Sequence, residues 1–100
     1  MDIQVQSGPE LLQKLRKEID LLDGELLRLF NQRARVVLDL AEVKRSCDLP
    51  AYDGQREHEV LERMCRENQG PLERESVVTL FRALIHEFRR IGQAAMEQLK

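Results

Sequence analysis

The sequence predicts an all-α chain of three helices, the first very long, assembled as an intertwined helical homodimer. Two observations carry the fold class. Apolar residues recur in alternating steps of three and four along most of the chain, and no segment alternates with the period of a strand. A third observation carries the assembly: the first helix outruns any core that its own 100 residues could supply.

The first helix is predicted from about Pro9 to Ser46, leaving residues 1–8 as a tail on a single domain of residues 1–100. Ser7 followed by Glu10 matches a capping box, and Pro9 suits a first helical turn. From there Leu12, Leu15, Ile19, Leu22, Leu26, Leu29, Arg33, Val36, Leu40 and Val43 form one seam of coiled-coil type. No proline interrupts it, and Gly24 lies off the seam. At about 1.5 Å per residue such a helix spans roughly 57 Å, whereas a compact domain of this size has a radius of gyration of about 13 Å. A seam of that length left bare would be a long apolar stripe in water. A second copy related by a twofold axis is the commonest cover.

The second helix is predicted from about Gly54 to Glu67, with Asp53 as its N-cap and Val60, Leu61 and Met64 on its apolar face. Asn68-Gln69-Gly70-Pro71 is a stop signal. The third helix follows from about Glu73 to Leu99, with a seam of Val77, Phe81, Leu84, Phe88, Ile91 and Ala95.

Composition excludes several classes of function. The net charge is −2, with charged residues at 34%, so the surface offers no basic field for nucleic acid or an anionic membrane. Trp is absent and there are three Phe and one Tyr, poor material for stacking bases. No stretch approaches the ~20 apolar residues of a membrane span, and the N-terminus lacks the blocks of a signal peptide, so a cytoplasmic protein is expected. Cys47 and Cys65 fit reduced thiols, and neither they nor His58 and His86 have metal-ligand spacing. His58 reads as a surface residue, His86 as a residue at the core edge, and Met64 and Met96 as fillers of the core or its edge. Arg89-Arg90 reads as a solvated face near a helix end. There is no glycine-rich phosphate loop.

Some charges stand where apolar residues belong. Arg33 occupies a seam position between Leu29 and Val36. Lys44, eleven residues on, points within about 20° of it, about 16 Å further along the axis. Arg16 lies roughly 25 Å before Arg33 on another flank, so one chain cannot bring both arginines to one small ligand. An antiparallel partner helix could. On the second helix Glu57 shares a face with Leu61 and Met64, a candidate buried carboxylate with Asp53 and Arg56 within a turn of it. Buried charge is costly unless paired or used. Two readings stay open on spacing alone: an Arg33–Glu57 ion pair that fixes packing register, or a cationic pocket for a small dianion held by Arg forks.

These ordered charges carry a family resemblance. The segments LRKEIDLLDGELLRLFNQR, AEVKRS, PAYDGQREHEVLERM and VVTLFRALIHEFRRIGQ resemble the all-helical chorismate mutases over about residues 11–93. The succession Arg16, Arg33, Lys44, Asp53, Arg56, Glu57 is the specific part of the match. The stretch RENQGPLERE is also similar to the form fused to, or partnered with, DAHP synthase. The resemblance implies two intertwined chains with two active sites and no cofactor or metal. It implies that Arg16 reaches a substrate carboxylate across the dimer and that Arg33 binds one within its own chain. Lys44 would contact the ether oxygen and a carboxylate, Asp53 and Arg56 would line the loop end, and Glu57 would hold the ring hydroxyl. Lys44, Arg33 and Glu57 are the implied catalytic residues. The implied reaction is chorismate to prephenate, in the biosynthesis of Phe and Tyr.

The sequence departs from the family on the third helix. A Gln or Glu that hydrogen-bonds the ether oxygen is usual there, and Gly92 stands in its place. Phe88 stands where a small or polar residue is common. Gln93 is adjacent but about 100° around the helix. Loss of one such donor in catalysis costs on the order of 3 kcal/mol, which raises the expectation of a weak mutase assisted by a partner such as DAHP synthase. Two alternatives accompany it: an isochorismate–pyruvate lyase on the same fold, and a non-catalytic regulatory dimer module.

Overall fold

The computed structural model describes residues 7–98. Among them are three α-helices and no strand: α1 (Gly8–Ser46), α2 (Gly54–Glu67) and α3 (Arg74–Gln98). The expected boundaries are met to within a residue or so. α1 takes Gly8 from the expected tail, Ser7 precedes it, and residues 1–6 of that tail lie outside the described residues, as does the expected end of α3 at Leu99. Chain contacts divide into two units, Met1–Arg33 and Ala34–Lys100.

The ends of α1 and α2 each have a physical cause. The Glu10 N–H donates to Ser7 Oγ at 3.2 Å, occupying one of the free donors of the first turn. α1 stops where Asp48 adopts φ 59°, a left-handed conformation that short polar side chains tolerate better than most. The Leu49 N–H then closes the turn on the Lys44 carbonyl at 2.7 Å. Asp53 is the N-cap of α2, accepting from the Arg56 N–H at 3.0 Å. After α2, Gly70 takes φ 75°, and its N–H donates to Asn68 Oδ1 at 3.0 Å while Asn68 Nδ2 donates to the Leu72 carbonyl at 2.8 Å. The expected stop signal works through the asparagine side chain and a glycine that accepts a positive φ.

In the first unit the seam leucines face solvent: Leu15 is 47% exposed, Ile19 55% and Leu22 63%. In the second unit α1 shows two stripes. Ala34, Val37, Ala41 and Lys44, again in steps of three and four, are buried or half-buried, whereas the seam residues Val36, Leu40 and Val43 stay exposed. The core of this unit gathers Ala41 from α1, Val60 from α2, and Val77, Ile85 and Phe88 from α3. Ala41 and Ile85 lie outside the predicted seams. On α3 the buried face is wider than its heptad seam, as expected of a helix packed in a globular unit, whereas on α1 the chain buries a stripe beside the seam and leaves the seam itself exposed.

No helix among the described residues is long and apolar enough to cross a membrane. Ile85→Ala is expected to destabilise the protein by about 3 kcal/mol, the cost of an unfilled core site. Urea unfolding checks this, and a loss below about 1 kcal/mol would place Ile85 outside the core.

Candidate active site

The charged residues singled out in the sequence divide between the two units. Arg16 and Arg33 belong to the first, and their 17-residue separation on one helix puts them roughly 25 Å apart. Arg16 is exposed and Arg33 half-buried.

Lys44, Asp53, Arg56 and Glu57 belong to the second unit, around the junction of α1 and α2. Lys44 ends the inward stripe of α1 and is half-buried. Its Nζ donates to the Ala51 carbonyl at 3.1 Å, which ties the ammonium to the loop two residues before the N-cap of α2. Asp53 spends a carboxylate oxygen on that cap. The Arg56 guanidinium lies on the exposed face, 3.8 Å from Glu59. These positions gather a fixed ammonium, a helix N-terminus and an acidic residue at one end of the unit.

Glu57 differs from the expectation in two respects. It is half-buried rather than buried, its side chain 25% exposed. Its ion-pair partner here is Arg89 of α3, with Nη1 3.6 Å from Oε1. The sequence places Arg89 on a solvated face, yet its side chain is only 29% exposed. It falls four residues after buried Ile85 and three before half-buried Gly92, on a second inward stripe of α3 that the seam reading passes over. The guanidinium also sits over the Tyr52 ring, 4.8 Å from its centroid, a cation–π arrangement. His86, expected at the core edge, is exposed, with Nδ1 3.5 Å from Arg89 Nη2.

Arg90 behaves as the solvated reading expects. Its Nε donates to both carboxylate oxygens of Glu87 at 3.1 Å on an exposed face. That hydrogen bond holds the Glu87 carboxyl below the usual carboxylate range.

Two glycines shape the surroundings. Tyr52 Oη lies 2.6 Å from where a Cβ on Gly54 would stand, so the ring end occupies space that a side chain at residue 54 would make it leave. A Cβ on Gly92 would point at Val37 Cγ1 of α1, at 3.4 Å, an ordinary contact distance. The direction of a side chain at position 92 is thus toward the stripe of α1 that ends in Lys44. Phe88 is core, 8% exposed. His58 and Cys47 are exposed, Cys65 is half-buried, and no group of acidic, histidine or cysteine side chains among the described residues could hold a metal ion.

The comparisons with known proteins agree on one family. The profile of "Chorismate mutase type II" matches residues 15–93. The chain is 39% identical over 80 residues to a bifunctional chorismate mutase/prephenate dehydratase of Aquifex aeolicus, covering 76% of this chain and 22% of that protein. This chain thus spans about a fifth of that relative's length. The enzyme fused to the mutase there is prephenate dehydratase, where RENQGPLERE pointed to DAHP synthase. Among solved structures, a chorismate mutase of Thermus thermophilus (form II) superposes with a TM-score of 0.82 at 34% identity, over 84% of this chain and 96% of that one. The Helicobacter pylori chorismate mutase in complex with prephenate gives a TM-score of 0.82 at 32% identity, over 90% and 98%.

Gly92→Ala is expected to stabilise the protein by about 0.5–1 kcal/mol, because helix entropy is gained and the new methyl meets Val37 without overlap. The midpoint of urea unfolding would rise at constant m-value. A fall would mean that α1 and α3 need the bare glycine to approach each other.

Proposed function

We propose that this chain, which belongs to the chorismate mutase type II family, rearranges chorismate to prephenate in the biosynthesis of Phe and Tyr, as a cytoplasmic homodimer. The observation that carries the reading is Lys44. It is a half-buried ammonium at the end of the inward stripe of α1, hydrogen-bonded to the loop that delivers Asp53, Arg56 and Glu57. The family match covers all of these positions.

The chemistry suits such a site. The rearrangement is unimolecular and uses no nucleophile. The protein must hold a flexible dianion in its compact reactive shape and stabilise negative charge developing on the ether oxygen. Arg33 and the partner copy's counterpart of Arg16 would clamp the two carboxylates by bidentate forks. Lys44 would sit at the ether oxygen, with Asp53 and Arg56 at the loop end and Glu57 on the ring hydroxyl. The exposed seam of α1 supports the homodimer, since a second copy would cover it and supply the distant arginine.

Lys44→Ala is expected to lower kcat/KM by a hundredfold or more, about 3 kcal/mol of transition-state stabilisation. The loss of chorismate absorbance measures it, and an unchanged rate would remove Lys44 from the site. Release of pyruvate from isochorismate would instead point to the lyase reading. Failure to bind a dicarboxylate transition-state analogue would favour the regulatory module.

Shared sites make a sharper prediction. Arg16→Ala and Lys44→Ala, each nearly inactive alone, should regain about one quarter of wild-type activity when unfolded together and refolded. About half the dimers are then mixed, and each mixed dimer has one intact site. No recovery would mean that the site is built within one chain. Gly92→Gln should raise kcat/KM about tenfold if position 92 lacks a donor to the ether oxygen. A partner enzyme that compensates for Gly92 would raise the wild-type rate on addition. Prephenate dehydratase, fused to the mutase in the relative above, is the first to try, ahead of DAHP synthase.

A further inference from the structure

We infer that Arg89 is a positioning residue for Glu57, held in place by Tyr52, so that the third helix contributes to the site through a carboxylate on the second. The inference rests on the reading of Glu57 as the acceptor for the substrate's ring hydroxyl.

The geometry joins three elements at one guanidinium. Arg89 projects from α3 and places Nη1 3.6 Å from Glu57 Oε1 on the first turn of α2. Its Cζ lies over the Tyr52 ring, 4.8 Å from the centroid, in the loop between α1 and α2. Tyr52 has its own seat, because Gly54 leaves the space that the ring occupies. The same loop is tied from the other side by Lys44, through the Ala51 carbonyl. A cation from α1 and a cation from α3 therefore hold consecutive residues, Ala51 and Tyr52, of one short loop.

This arrangement is more than a surface ion pair. Exposed pairs keep full conformational freedom and fix little. Here both side chains are about three-quarters withdrawn from solvent, and the guanidinium has an aromatic ring as a second neighbour, a cation–π contact. A carboxylate can accept about four hydrogen bonds. At 3.6 Å the contact is an ion pair and occupies no lone pair, so Glu57 keeps its acceptor capacity for a hydroxyl while the guanidinium charge draws its carboxylate toward α3. A chain without the usual third-helix donor at position 92 thus still uses α3, one turn earlier, to order the acceptor of α2.

The test is a double-variant cycle on the dimeric enzyme. Arg89→Met should lower kcat/KM about tenfold or more, in the same kinetic parameter that Glu57→Gln affects, with helical circular dichroism retained. In the Glu57→Gln background the same change should cost less than about twofold, because a positioning residue has nothing left to position. Arg89→Lys should restore part of the loss. Tyr52→Leu, at an exposed position that does not threaten folding, should lower kcat/KM several-fold and also be masked by Glu57→Gln. Full additivity of Arg89→Met with Glu57→Gln would overturn the inference, since Arg89 would then act on its own. So would unchanged kinetics in both Arg89→Met and Tyr52→Leu beside a clear loss in Glu57→Gln. Unchanged kinetics in Glu57→Gln alone would overturn the underlying reading of Glu57 and this inference with it.

Discussion

A helix of 39 residues carries two apolar stripes, and its own chain covers one of them. This constraint orders everything else. The covered stripe, Ala34 to Ala41, packs into the unit built with α2 and α3 and ends in Lys44. The uncovered stripe begins in the first unit and runs on through Val36, Leu40 and Val43. Leaving such a surface in water costs roughly 25 cal/mol for each Å² of apolar area. A second copy of the same seam is a self-complementary cover. The function proposed above uses that cover twice, once to bury leucines and once to import an arginine.

Much of this was legible in the sequence. The three helices and their boundaries follow from steps of three and four, from Ser7 and Asp53 as caps, and from the Asn68–Pro71 stop, all of which are local signals. The positions of Lys44 and Glu57 on inward faces follow from the same periodicity. What periodicity could not supply was which stripe of α1 its own chain buries and how wide the buried face of α3 is. Ile85 widens the buried face of α3 beyond its heptad line, and Val37 and Ala41 belong to a second stripe of α1 that is buried while the predicted seam stays exposed. The partner of Glu57 was also hidden. An ion pair between helices depends on how they cross, and Arg89 next to Arg90 looks like one solvated doublet. The usable clue was the stripe Ile85, Arg89, Gly92, Met96, which sets Arg89 on the inward side and leaves Arg90 outside.

Electrostatics separates this doublet into two roles. Arg90 meets Glu87 on its own helix, an exposed pair that adds little to stability. Arg89 meets a carboxylate from another helix and an aromatic ring from a loop, in partial burial where charges are weakly screened. Identical side chains one residue apart thus differ in consequence because 100° of helical rotation separates solvent from the junction of three elements.

The seat of Tyr52 has a consequence for how this protein can vary. The hydroxyl oxygen stands 2.6 Å from the position that any side chain at residue 54 would claim. A Cβ at 54 would meet the hydroxyl end of an exposed side chain, which can swing aside, and the swing would move the ring relative to Arg89. A change at residue 54 is thus felt at Arg89 only through the ring of Tyr52.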